Sequence, residues 1–464
     1  MAEPTPVNIL RGHKSQIHAA AFVRHNDRLA TGDADGYVML WDLAIMRPRA
    51  VWRAHENAIL SIKGWGSDKI ITFSFSHGRD HRLIVWQLRS EDEANLKETS
   101  PLEQSSEVPP PQPWMLHVLE VNTMNFCAFA ACPNIPTGGS TMSDGSSSIL
   151  VAVPNTLLAE SIDIFELPSQ KRIHTVKPGG KHGMAMTLAI LYKEKHLILI
   201  AGFENGMCSV FALKDNAHEW ITTYRGQAHS QPVLSLDVNP SGEYFISSSA
   251  DALIAKHPIP TKQQTTIPKP TNSQPHQETA ALNPNASAPP KATGGIGALF
   301  SGSGETVSKN GSVIGQLGSK AWEDPIKVVN TKHAGQQNLS IRSDGRIFAT
   351  AGWDSKIRIY ATKSLKELAV LKWHQVGVYA VAFAHIEASG DEKSTQKLAT
   401  EKVLKLEGGL QTRGDASNSL VRPAGDLLEK QPMSVKDKRI HLAKHTHWVA
   451  AGAKDGKLSL WDIY

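Results

Sequence analysis

The sequence predicts an all-β fold, a seven-bladed β-propeller carrying disordered insertions, and three observations lead there. A unit of about forty residues recurs along the chain. Each copy reads as short strands of alternating apolar residues parted by turn residues. The stretches between copies have compositions that cannot bury a core. The 464-residue length accommodates seven such units plus insertions.

The first unit, Ile9 to Leu43, sets the plan. Apolar residues alternate through Ile17, Ala19, Ala21 and Val23, return at Leu29, and return again through Val38, Leu40 and Leu43. Turn residues at 25–27 and 33–36 separate them. Gly12-His13 opens the unit and Trp41-Asp42 closes it about 30 residues later, so the chain resembles the WD40 family and its four-stranded blades. The resemblance implies a structural tetrad of a histidine, a second-strand hydroxyl, a turn aspartate and a third-strand Trp. In this unit those are His13, Thr31, Asp35 and Trp41. Mutually satisfied buried polar groups fix geometry, and such a set implies no reactivity.

Later units follow in order. The second supplies His55, Ser76, Asp80 and Trp86, with a bulge expected near Phe73-Ser74-Phe75. The third, restarting at Trp114, lacks a tetrad and has Phe165 in the Trp position. The fourth is degenerate, with His182, Asn205-Gly206 and Phe211. The fifth offers His229, Ser247 and Asp251, with His257 where Trp would stand. The sixth offers His333, Thr350, Asp354 and Tyr360. The seventh has Asp455 and Trp461, but Ala451 in the hydroxyl position leaves its tetrad incomplete. Its third strand ends the chain, so the strand at Val7 to Leu10 is expected to complete this blade and remove the open sheet edge.

The resulting division is 6–88, blades one and two; 89–113, an acidic and Pro-rich linker; 114–259, blades three to five; and 260–320, a low-complexity disordered insertion. Residues 321–387 hold blade six and the start of blade seven, 388–442 a charged insertion, and 443–464 the end of blade seven, closed by 6–11. In the charged insertion Leu398, Val403, Leu406 and Leu410 approximate one side of a short helix.

Several chemistries find no support. The net charge of +5 is spread along the chain, whereas direct nucleic-acid binding calls for a clustered basic face. Cys127, Cys132 and Cys208 form an odd, sparse set without Cys-x-x-Cys, which argues against a disulfide framework or a zinc site and for a reducing compartment. His441, His445 and His447 have no Cys or carboxylate partner at ligand spacing, so a His-rich surface turn is expected and no metal. The glycines between 294 and 318 match no phosphate-binding loop. No hydrolase, zincin or kinase signature occurs, so the chain is expected to be no enzyme and to need no cofactor. The N-terminus lacks a signal pattern, and no apolar run of spanning length survives Lys193-Glu194-Lys195, so no membrane role is expected.

Five stretches are similar to one fungal branch of WD-repeat proteins, the ASTRA-associated family. They are PVNILRGHKSQIHAAAF, HGRDHRLIVWQL, PWMLHVLEVNTMNFCAFA, GWDSKIRIY and AAGAKDGKLSLWDIY. The resemblance implies a nuclear scaffold, with a secondary cytoplasmic location allowed, acting in chromatin regulation and kinase assembly. It implies as partners a PI3-kinase-related protein, AAA+ ATPases and helical-repeat cochaperones, and it carries no catalytic residues. Two alternatives stand beside it. A cullin-ligase substrate receptor commonly carries Trp-Asp-x-Arg, and Trp41-Asp42-Leu43-Ala44 lacks the Arg. A G-protein β-like adaptor would need an N-terminal coiled coil, and Pro4 and Pro6 leave no room for one.

Overall fold

Short strands joined by tight turns pair with their sequence neighbours, and here they do so seven times. The computed structural model describes residues 4–74, 76–77, 81–99, 110–121, 124–134, 148–214, 219–266, 318–386 and 434–463. The chain divides into two units, Met1–Gln263 with Ala321–Tyr464, and Gln264–Lys320. In the second unit Gln264–Thr266 pairs antiparallel with Gly318–Lys320.

The first unit holds seven four-stranded antiparallel sheets, the blades of a propeller. Blade one is Ile17–Val23, Arg28–Asp33, Tyr37–Asp42 and Arg47–Arg53. Blades three, four and six are likewise continuous in sequence, their first strands beginning at Ala130, Ala185 and Gln336. Blade seven takes its inner strands from Val378–Phe383, Trp448–Ala453 and Lys457–Asp462, and its outer strand from Asn8–Arg11. Asn8 faces Leu460 and Arg11 faces Lys457, so the two ends of the chain share one sheet.

The core lies between the blades. Seven apolar clusters each draw residues from two adjacent sheets, and the one joining blade seven to blade one, with Leu10, Ile17, Trp41, Trp448 and Leu460, closes the ring. Middle strands are therefore covered on both faces. Trp448–Ala453 is buried at every position, so strict alternation fails there and survives better on inner strands. Six first strands carry a bulge at the equivalent place, between Ile17 and Ala19 in blade one and between Val378 and Ala380 in blade seven. There His18 and Tyr379 stack between the two blades, ring centroids 5.4 Å apart. Phe75, in the connection where a bulge was expected, lies outside the described residues.

Several sequence boundaries are corrected. Trp114–Glu120 does not open blade three; it pairs with Arg82–Gln87 as the outer strand of blade two. Likewise Lys327–Asn330 completes blade five by pairing with Leu253–Pro258. Both long connections interrupt a blade before its fourth strand, and a repeat read from sequence cannot show which neighbour an isolated edge strand joins.

The start of the 89–113 segment is also no free linker. Asp92–Asn95 forms a 3-10 helix, Leu96 enters the core between blades one and two, and Lys97 bridges to Val51 on the edge of blade one. Glu93 anchors it. The residue is only 1% exposed, and its carboxylate meets the guanidinium of Arg24, that of Arg28 at 3.0 Å and that of Arg49 at 3.6 Å. A buried carboxylate is tolerated because it is multiply paired.

In the charged insertion, residues 387–433, with the apolar positions Leu398, Val403, Leu406 and Leu410, lie outside the described residues. Its last part is helical: α1, Val435–His445, precedes the second strand of blade seven. In an up-and-down blade the first-to-second and third-to-fourth connections emerge at the same end. The strand ends that bound 88–113, 134–148 and 384–447 are all of those two kinds, so they lie at one face of the ring.

Candidate functional site

The residues with the chemical capacity to react are gathered in hydrogen-bonded sets between strands. In blade one His13 Nδ1 lies 2.8 Å from Asp33 Oδ2, its Nε2 lies 2.7 Å from Thr31 Oγ1, and Trp41 Nε1 donates to the same hydroxyl at 2.8 Å. The acid is thus Asp33 and not Asp35. Thr31 and Asp33 alternate onto one face of their strand, whereas Asp35 lies in the exposed turn. Asp33 Oδ1 also accepts from the backbone N–H groups of Asp35 and Tyr37, tying that turn.

Blade two joins His55 and Trp86 through Thr72, at 2.8 and 2.9 Å. Ser76, the hydroxyl expected from sequence, sits four residues further on in a two-residue strand paired with Asn125. Asp80 lies outside the described residues.

Blade five holds the longest set. His229 Nδ1 contacts Asp251 Oδ1 at 3.2 Å and its Nε2 contacts Ser247 Oγ at 2.8 Å; Ser247 meets His257 Nε2 at 2.8 Å, and His257 Nδ1 meets Tyr224 OH at 2.7 Å. One assignment of protons satisfies every group. Tyr224 donates to His257, His257 to Ser247, Ser247 to His229, and His229 to Asp251. Burial and the neighbouring His229 hold His257 down to about 3, so it stays neutral. Burial alone would raise the Asp251 carboxyl; hydrogen bonds from His229, Leu253 N–H and Ser230 N–H together bring it below its ordinary range. Tyr224 was not foreseen, because it lies on the outer strand of blade four and its contact crosses between blades.

Asp251, His229 and Ser247 have the composition of a hydrolase triad. Their setting opposes that use. Ser247 and His257 are wholly buried, so a substrate has no path to the hydroxyl.

Blade six departs from its expectation. Arg358 takes Asp354 in two hydrogen bonds of 2.6 and 3.1 Å, leaving His333 at 3.8 Å from that carboxylate, with a side chain 42% exposed. The planar guanidinium matches both carboxylate oxygens. Thr350 and Tyr360 are buried, and Tyr360 stacks on Phe348 at 5.1 Å. In blade seven the hydroxyl missing at Ala451 comes from Ser459, its direct cross-strand partner. Ser459 Oγ joins His374 Nε2 and Trp461 Nε1, each at 2.8 Å, while Asp455 pairs with Lys457 at 2.6 Å. Trp373-His374 stands where Gly-His was sought, which hid the histidine. In blade four His182 bonds the Gly179 carbonyl at 2.6 Å.

Turn glycines lock these sets between neighbours. Gly36, at φ +83°, accepts from His55 N–H at 3.2 Å, and a Cβ there would fall 2.0 Å from the His55 carbonyl oxygen. At Gly456, φ +74°, a Cβ would likewise fall 2.5 Å from the His13 carbonyl oxygen, across the closure between blades seven and one.

The cysteines are buried and in no disulfide, and burial pushes the thiols of Cys132 and Cys208 up to about 12, away from thiolate chemistry. His441 and His445 lie on α1 rather than in a turn, rings stacked 4.1 Å apart, and His447 lies beyond the helix. Among the described residues no group of three His, Cys, Asp or Glu is arranged to hold a metal ion. No helix among them is long and apolar enough to cross a membrane.

Comparison with known proteins places this architecture. The family described as ASTRA-associated protein 1 matches residues 6–461. The chain is 48% identical over 461 residues to the ASTRA-associated protein 1 of Verticillium alfalfae, covering 99% of this chain and 93% of that one. It is 46% identical to that of Pyricularia oryzae, covering 100% and 98%. It is 30% identical to that of Schizosaccharomyces pombe, covering 82% and 94%. The chain belongs to the ASTRA-associated protein 1 family.

Proposed function

We propose that this chain is a non-catalytic scaffold subunit of an ASTRA-type assembly in the nucleus, serving chromatin regulation and the assembly of PI3-kinase-related kinases. The observation that carries the reading is the near full-length match to relatives named for association with ASTRA. The geometry supports it: reactive side chains are consumed in sets that hold strands together, which leaves rigid blade edges, turns and insertions for protein contacts. The partners proposed are a PI3-kinase-related protein, AAA+ ATPases and helical-repeat cochaperones.

The test is purification of the tagged chain from its native cell, with mass spectrometry of what accompanies it. Recovery of those three partner classes supports the reading. Recovery of cullin components or of a γ-like subunit in their place would overturn it and leave the fold untouched.

A further inference from the structure

The helix α1 is held to the ring by one end. Ala443 is buried, its carbonyl accepts from Trp448 Nε1 at 3.0 Å, and the Lys444 carbonyl accepts from Asn26 Nδ2 at 3.1 Å. The first two turns stand clear. There Ser434 caps the helix by accepting from Asp437 N–H and donating to its carboxylate, which occupies the segment's one acid.

Helical spacing puts Val435, Lys438, Arg439 and Leu442 on one outward stripe. Val435 is 68% and Leu442 62% exposed. Lys436, Lys438 and Arg439 are exposed, and among the described residues none of them forms an ion pair. At the foot of the helix opens a cavity of about 310 Å³ lined by Phe22, His25, His385, Ile386, Lys444 and His445. Its wall combines two apolar side chains with one cation, three imidazoles and the amide of Asn26, and contains no carboxylate.

We infer that α1 and this cavity form a docking surface for an acidic peptide segment of another protein, carrying a bulky apolar anchor. The anchor would enter against Phe22 and Ile386, and carboxylates would meet Lys438 and Arg439, Lys444 being paired with Asp27 at 3.7 Å. The alternation of aliphatic and cationic residues selects this occupant. A phosphate backbone rewards an unbroken run of cations and gives Val435 and Leu442 nothing to cover them. An acidic, aliphatic peptide covers both kinds of group at once. The inference is drawn from the propeller itself and does not depend on which assembly the chain joins.

The test uses the purified full-length chain and fluorescence anisotropy. The probe is a short fluorescein-labelled synthetic peptide alternating Glu with Leu and Phe. Saturable binding is expected, weakened about tenfold or more by the double substitution K438E/R439E and by replacing the probe's Leu and Phe with Ser. Leu442→Ala should weaken it severalfold. All three positions are exposed, so unchanged melting of the variants shows that the fold is intact. Absence of binding, or binding indifferent to K438E/R439E, would overturn the inference. So would tighter binding of a single-stranded oligothymidylate or of phosphatidylserine vesicles through the same residues. Binding that emerges only when residues 388–432 are removed would show the chain's own segment as the occupant and would also overturn it.

Discussion

The side-chain amide of Asn26 grips both backbone groups of His385: Nδ2 donates to its carbonyl at 2.6 Å, and Oδ1 accepts from its N–H at 3.1 Å. The same Nδ2 reaches the Lys444 carbonyl. One residue in the first turn of blade one thus holds both ends of the connection that interrupts blade seven. Asn26 has φ +62° and follows Arg24 and His25, also at positive φ, and Asn is among the few side chains suited to that region. Asn26→Ala is expected to cost about 1–2 kcal/mol, since three part-buried backbone groups, two of His385 and one of Lys444, lose their partner. Urea unfolding measures the loss, and hydrogen exchange should quicken at the His385 amide ahead of the blade interiors.

Glu93 is the counterpart on blade one's outer side. Glu93→Ala leaves the guanidinium groups of Arg24 and Arg28, both largely buried, without their shared carboxylate. A destabilisation of about 3–5 kcal/mol follows from stranding buried charge. Limited proteolysis should then cut within 89–99 faster than in the wild type; an unaltered cleavage rate would mean that the segment is held by something else.

Ser459 does for blade seven what a second-strand hydroxyl does elsewhere. Ser459→Ala removes the atom joining His374 to Trp461 and should lower stability by about 1–3 kcal/mol. Because Ala451 faces Ser459 directly, the double variant A451S/S459A restores a hydroxyl from the opposite strand and should recover part of that loss. Thermal melting of the three proteins decides it.

These cases mark what was legible in the sequence. The spacing of His13, Thr31 and Trp41 discloses a blade, and the same spacing points to His229, Ser247, Asp251 and His257, which meet in one hydrogen-bonded set. Asp33 was passed over for Asp35 because counting back from Trp41 sees a turn position and not which carboxylate faces inward. Ser459 and Tyr224 escaped because their roles depend on cross-strand register and on contact between blades. Glu93 escaped for another reason: an acidic residue in a Glu- and Ser-rich stretch looks solvated until three arginines converge on it.

Two buried histidines give stability an acid-sensitive component. Burial, with His229 adding to it, lowers His257 to about 3; burial also lowers His374 to about 4, outweighing the opposing pull of Asp455. Both therefore lie below the ordinary 6.5, so the unfolded chain takes up protons at these positions before the folded chain does. The contribution is complete above pH 6.5 and is lost as pH falls toward 4 and then 3. Each histidine should add about 1.4 kcal/mol per pH unit to the slope in that window. His374→Asn should flatten the wild-type slope by that amount; an identical slope would show that His374 titrates normally when folded.

The claim that this propeller works by its surfaces, and not by chemistry, is tested most directly with Ser247→Ala, which deletes the hydroxyl of the Asp251, His229 and Ser247 set. Tagged wild type and variant are purified from extract of the native cell, and the accompanying subunits are quantified per recovered chain, beside a growth complementation assay. The account predicts the same partners in the same ratio from both, and growth that follows the amount of folded chain. A variant present at wild-type level, with all its partners, that nonetheless fails to support growth would contradict it.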